Sequence, residues 1–162
     1  MMLNTTTSIW VELLRALLAR REALAQDLHR ELNRLEKVDA TETPALIRQS
    51  IDDSIEFLRK QLAKLQQDIE SHIDRHPELR CDMEILTSIP AVGPQAGVNL
   101  LPIVHSYRFN FAERLAAYLG LIPNERQSGS SVRGRARLSK AGPPKIRAML
   151  YMAVIAYAMA SP

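Results

Sequence analysis

Apolar residues recurring every 3.5 positions constrain the first half of this 162-residue chain more than any other feature. Between Ile9 and Val38, Leu14, Leu28 and Leu35 fall at one heptad position, and Trp10, Leu17, Leu24 and Val38 at the other. Arg21 and Glu31 interrupt the seam. After Thr41-Glu-Thr-Pro44, Ile51, Leu58 and Leu65 stand beside Ile55, Leu62 and Ile69. This period holds an apolar stripe on one side of a helix and turns it toward a second helix. Thr43 is the expected cap of the second helix and Pro44 its expected first residue. So short a break predicts an antiparallel hairpin, a coiled-coil arm over residues 1–76 that can also pair with another copy. The bland reading of such an arm is scaffold, since coiled coils rarely carry chemistry themselves.

Pro77 ends the periodic pattern. Beyond it, residues 77–162 read as shorter helices at Cys81–Ser88, Pro94–Leu101, Ala112–Leu119 and Lys145–Ala160. A polar loop from Pro123 to Gly142 separates the last two. Aromatic residues make up only 5% of the chain, and Leu and Ala abound, which favours helix over sheet. The expected fold class is therefore all-α: the antiparallel arm, then a compact helical domain containing a helix-hairpin-helix. The apolar run from Ala148 to Ala160 is too short to span a bilayer and reads as a buried helix, so no membrane partner is expected. Cys81 is the single cysteine, which excludes an internal disulfide framework and suits a reducing cytoplasm. Met1 to Ser8 has neither the basic nor the apolar region of a signal peptide.

Charge is unevenly placed. Residues 1–76 hold 11 basic and 13 acidic side chains, and residues 77–162 hold 10 basic and 5 acidic. Arg126, Arg133, Arg135, Arg137, Lys140, Lys145 and Arg147 crowd one segment, opposed by Glu125 alone. A cluster of this kind calls for a polyanion or for a water-facing loop.

Two motifs give the polyanion reading a shape. In Leu86-Thr-Ser-Ile-Pro-Ala-Val-Gly-Pro-Gln-Ala-Gly-Val-Asn-Leu-Leu101, an apolar helix end meets a turn closing at Gly93, and a new helix opens with Pro94 and Gln95. Backbone N–H groups and the dipole at such a helix start suit a DNA phosphate and read no sequence. Gly97 would let the two helices approach closely, and Ala91 stands where a first turn glycine is usual. The alternative is an ordinary αα-corner. In Gln127-Ser-Gly-Ser-Ser-Val-Arg-Gly-Arg-Ala-Arg-Leu-Ser-Lys-Ala-Gly142, Arg133, Arg135 and Arg137 alternate to form a positive fringe, and Gly129 and Gly134 let backbone come near a ligand. The hydroxyls there either bond phosphates or supply a serine nucleophile whose developing charge the arginines neutralise.

Metal chemistry has weaker signals. His72 and His76 lie one helical turn apart with Cys81 nearby, but no fourth ligand follows, so a polar helix end is the expected reading. Glu78, Asp82, Glu84, Glu113 and Glu125 include no Asp-x-Asp pair, and two-metal catalysis needs several convergent acids. No metal site is expected.

Taken in order, Ile89-Pro-Ala-Val-Gly93, Arg108-Phe109, Leu115-Ala-Ala-Tyr-Leu-Gly-Leu-Ile-Pro123, Gln127-Ser-Gly129, Arg133-Gly-Arg135, Leu138-Ser-Lys-Ala-Gly142, Arg147 and Leu150-Tyr151 resemble the C-terminal domain of the insertion-sequence 110/116/902 transposases. Members of that family join an N-terminal RuvC-like domain bearing Asp-Glu-Asp-Asp to this domain through a coiled coil. The resemblance implies DNA strand exchange in transposition, a guide RNA, and a catalytic serine. That serine falls on Ser128, with Ser130 and Ser131 as alternatives. Gly93, Gln95, Ser130, Arg133, Arg135, Arg137, Lys140 and Arg147 are the implied nucleic-acid contacts. Mg2+ is expected only with the acidic domain, and the arm implies a homo-oligomer. The implied location is the bacterial cytoplasm, at the nucleoid.

Three departures stand beside the match. The acidic domain is absent; Pro102-Ile-Val-His-Ser106 replaces the family's acidic stretch; and Pro143-Pro144 follows the last glycine. An expressed fragment or a truncated copy is therefore expected, inactive in transposition by itself. The competing readings are a non-catalytic nucleic-acid-binding module and a coiled-coil assembly protein.

Overall fold

The computed structural model describes residues 9–41, 43–107, 109, 111–124, 127–128, 132–133 and 137–160. The chain divides into two compact units, Met1–Pro77 and Glu78–Pro162. Among the described residues the regular structure is helical apart from two short antiparallel ladders, in keeping with the expected all-α class.

The first unit contains α1 (Ile9–Asp39) and α2 (Ala45–Asp74). They run antiparallel. Arg48 pairs with Asp39 near the turn, the Arg21 guanidinium donates to Gln66 Oε1 (3.3 Å) further along, and His72 Nε2–H donates to the Trp10 carbonyl (2.8 Å) at the far end. The core holds Val11, Leu14, Leu24, Ile55, Ile69 and Ile73, and four of these lie on the 3.5-residue seam. Trp10 departs from it. It is 51% exposed, its ring lies 4.5 Å from that of His76, and Val11 takes the buried place beside it. Burial lowers the pKa of Arg21, the cation that interrupts the seam. The turn also differs from expectation. Pro44, at ψ 137°, is the cap residue and the helix starts at Ala45. Thr43 does not cap it, because its hydroxyl is bonded to that of Thr41 (2.8 Å), which in turn reaches back to the Lys37 carbonyl.

The second unit is built from α3 (Pro77–Ser88), α4 (Pro94–Tyr107), α5 (Ala112–Tyr118) and α6 (Pro144–Ala160). Three of these helices open with proline. A proline there removes only an N–H that has no intrahelical partner, and its fixed φ already suits a helix. Pro77 therefore starts a helix earlier than the expected Cys81. Helix α4 also runs past its expected end at Leu101. Pro102 sits inside it and takes away the N–H that would reach the Val98 carbonyl. Leu100, Leu101 and Pro102 are all buried, and this packing outweighs the lost bond.

Ala91 adopts φ 70°, the left-handed region that glycine tolerates best. An L-residue there costs about 1–2 kcal/mol. Ala91→Gly should therefore stabilise the chain by roughly 0.5–1 kcal/mol, after allowing for glycine's greater freedom when unfolded. Urea unfolding followed by circular dichroism measures this, and a lowered midpoint would contradict the turn geometry.

The final helix is a correction. An apolar run was expected to be buried, yet Tyr151, Met152, Val154 and Met159 are 62–82% exposed. The residues around α6 cover only part of its circumference, since α4 is the one helix with which it makes extensive contact among those described. No helix among the described residues is long and apolar enough to cross a membrane.

Candidate nucleic-acid interface

The expected polar loop is drawn into two ladders. β1 (Pro123–Asn124) pairs with β4 (Arg137–Leu138), and β2 (Gln127–Ser128) with β3 (Val132–Arg133). The registers are Pro123↔Leu138, Asn124↔Arg137, Gln127↔Arg133 and Ser128↔Val132. Ser128 thus pairs with Val132, with Arg133 one rung away. Arg137 stands opposite Asn124. Ser130, Ser131 and Arg135 lie outside the described residues.

What anchors the hairpin is backbone against backbone. Helix α5 ends in a Schellman motif, in which the Leu121 N–H donates to the Ala116 carbonyl (2.9 Å) and the Gly120 N–H to that of Ala117 (3.0 Å). Gly120 supplies the positive φ, 69°, that this motif requires. The Lys140 N–H then donates to the Gly120 carbonyl (3.2 Å), and the Ser139 N–H to that of Ile122 (3.0 Å). A Cβ placed on Gly142 would lie 2.2 Å from the Tyr118 carbonyl oxygen and 2.5 Å from the Leu119 carbonyl carbon. Arg147, half-buried in α6, locks the join. Its guanidinium donates to the Leu119 carbonyl (3.4 Å) and to the Gly142 carbonyl. The sequence reading assigned Arg147 to a phosphate; the structure places it across the foot of the hairpin.

Lys140 has an exposed side chain on a left-handed backbone, φ 56°. It borders an open apolar groove of ≈ 430 Å3 lined also by Leu121, Leu138, Tyr151 and Val154.

At the other motif, the Gly93 carbonyl accepts the first helical bond of α4, from the Gly97 N–H (2.9 Å). Gly93, Pro94 and Gln95 are exposed, and nothing lies within 4 Å of a Cβ built on Gly93. Gly97 does sit at a close approach, but to a side chain, with Met83 Sδ 3.1 Å and Thr87 Cγ2 3.3 Å from its virtual Cβ.

Sequence reasoning missed a polar bridge between α3 and α4. The Nδ1–H of His105, a residue only 10% exposed, donates to Asp82 Oδ2 (2.7 Å), and Glu78 Oε2 lies 3.7 Å from Nε2. Asp82 and Glu78, weighed earlier only as metal ligands, hold two helices together instead. In the first unit the Nδ1–H of His76 donates to the His72 carbonyl (2.6 Å), so backbone carbonyls engage a ring nitrogen of both His72 and His76. Among the described residues no group of three or more His, Cys, Asp or Glu side chains can hold a metal ion.

Through residues 83–162 the chain matches the model of the Transposase IS116/IS110/IS902 family. It is 29% identical over 143 residues to the pilin gene-inverting protein of Moraxella lacunata, covering 88% of this chain and 43% of that protein. The pilin gene-inverting protein of Moraxella bovis matches to the same extent. An uncharacterized 43.6 kDa protein of insertion element IS110 from Streptomyces coelicolor is 28% identical over 126 residues, 77% of this chain and 30% of its own length. The chain thus spans less than half the length of the curated relatives it matches.

Proposed function

We propose that the second unit is the nucleic-acid-handling part of a recombinase that moves or inverts DNA. The observation that carries this reading is the anchored hairpin. It sets Ser128 one rung from Arg133 on one ladder and Arg137 opposite Asn124 on the other, in a unit with ten basic against five acidic side chains, on a foot where backbone packs against backbone. The match of residues 83–162 to the transposase family model supports it, and so do relatives whose name describes gene inversion.

In this account Arg133, Arg135, Arg137 and Lys140 hold phosphates of DNA or of a guide RNA, and Ser130 bonds a phosphate oxygen. Keeping Lys140 on a left-handed backbone costs about 1–2 kcal/mol, which is consistent with a side chain retained for its charge. The α3–turn–α4 corner acts as a helix-hairpin-helix, with Gly93 and Gln95 facing a further phosphate. Ser128 is the nucleophile. Its Oγ attacks a DNA phosphorus, the P–O3′ bond breaks, the serine proton passes to solvent, and a 3′ hydroxyl leaves. Any Mg2+ would be held by carboxylates outside the described residues, which offer no donor set for it. The arm of α1 and α2 pairs as a coiled coil with a second copy.

Binding of labelled duplex to the intact chain across a salt series tests the reading. Each phosphate contact contributes about −0.9 to the log–log slope. Four contacts predict a fall of about 100-fold between 50 and 200 mM salt. Affinity that stays flat over that range would overturn the phosphate-gripping role.

A further inference from the structure

Four of the chain's eight aromatic residues, Tyr107, Phe109, Phe111 and Tyr118, fall within twelve positions. In a chain this poor in aromatics they do not serve as a core. Tyr107, Phe111 and Tyr118 are 45%, 62% and 38% exposed. Three of the rings gather into one cluster, with centroids 5.7 Å apart for Tyr107–Phe109, 4.7 Å for Tyr107–Tyr118 and 5.8 Å for Phe109–Tyr118. They are tilted by 31–54°, so each ring braces its neighbours without hiding them. The two tyrosine hydroxyls lie 3.5 Å apart. Beside them, Arg114 places its guanidinium carbon 5.9 Å from the centre of the Phe111 ring.

The position of the cluster matters as much as its exposure. Tyr118 is the last residue of α5, and its carbonyl oxygen is the atom that abuts Gly142 at the foot of the basic hairpin. An exposed aromatic surface therefore adjoins the segment with the densest positive charge in the chain. Apolar faces of rings beside cations fit one chemistry particularly well, a strand whose phosphates are anionic and whose bases are free to stack. Paired bases cannot use such a surface, because their faces are already stacked within the duplex.

We propose that Tyr107, Phe109 and Tyr118 form a stacking platform for unpaired nucleobases of a single-stranded nucleic acid. The proposal rests on the nucleic-acid reading above and adds the state of the ligand, an open strand or a splayed base. The phosphates of that strand lie toward the hairpin cations, and its bases toward the rings. DNA and RNA present the same ring faces, so the platform takes either.

Three labelled strands of equal length and equal phosphate number test this with the intact chain: oligothymidylate, oligouridylate and an abasic deoxyribose-phosphate strand. Stacking contributes about 10-fold or more per base. The platform predicts that the strands with bases bind at least about 10-fold more tightly than the abasic strand. The thymidylate and uridylate arms show which nucleic acid gains more. The double variant Tyr107→Ala/Tyr118→Ala should lose that margin while binding the abasic strand as the parent does. Tyr107→Phe/Tyr118→Phe should keep it. Equal binding of abasic and base-bearing strands by the parent overturns the platform and leaves the phosphate-gripping role standing, and this comparison decides even where the alanine variant fails to fold. A folded alanine variant that keeps the full margin overturns it too. Failure of all three strands to bind defeats the nucleic-acid reading itself.

Discussion

Gly142→Ala should unfold the second unit while leaving the first intact. The added methyl would meet the Tyr118 carbonyl oxygen at 2.2 Å and the Leu119 carbonyl carbon at 2.5 Å, and both are backbone atoms at the end of a helix. No rotamer change relieves a clash of that kind. Either the helix end or the returning strand must move, and with it go the Arg147 bonds to both carbonyls and the Lys140–Gly120 bond. A loss of about 4 kcal/mol or more follows, a large fraction of a small domain's stability. Hydrogen exchange should show protection lost through α5 and the start of α6. Emission from Trp10, the chain's one tryptophan and a residue of the first unit, should be unchanged. Gly93→Ala is the matched control. Open space surrounds that position, so its effect should stay within about 0.5 kcal/mol. A Gly142→Ala protein with wild-type exchange protection would contradict the foot described here.

The second large effect is expected at Ser128. In the full-length protein, a suicide DNA substrate should trap a covalent serine–phosphate adduct. Ser128→Ala should reduce adduct formation by about 1000-fold or more, because an alanine offers no atom to form the bond to phosphorus. The pairing of Ser128 with Val132 makes the comparison informative. Ser128 stands on a described ladder, and Ser130 and Ser131 lie outside the described residues. Full adduct formation by Ser128→Ala, with loss in Ser130→Ala or Ser131→Ala, would move the nucleophile to one of those serines.

The parts of this molecule legible in its sequence are those governed by short-range rules. Heptad spacing picked out Leu14, Leu24, Ile55 and Ile69 as core because a helix repeats its face every few residues. It misplaced Trp10, since a bulky residue at the open end of the seam packs as well against a histidine ring as against the opposite helix. Pro94 marked a helix start, whereas Pro77, read as an end, and Pro144, one residue ahead of the expected Lys145, open helices as well, and Pro102 marked no end because burial around it prevailed. Ala91 stood out against an expected glycine, and its left-handed backbone bears out the turn.

The hairpin foot was not legible. Gly120 and Gly142 are 22 positions apart, and their contact is between backbones, which carry no side-chain pattern to read. Two-residue strands likewise show no alternation, so the ladders looked like loop. Arg147 has a structural role that its charge alone did not announce, since its guanidinium bonds carbonyls from two segments. The aromatic cluster was overlooked for a related reason, as its members come from the end of one helix, the link after it and the end of the next, so no single element joins them.

The central claim is that the basic hairpin grips a phosphate backbone. It is tested most directly by the salt dependence of duplex binding, measured for the intact chain and for Arg133→Ala/Arg135→Ala/Arg137→Ala. The account predicts a steep log–log slope that becomes shallower by about 2–3 in the triple variant. A slope left unchanged by removal of all three arginines would contradict it.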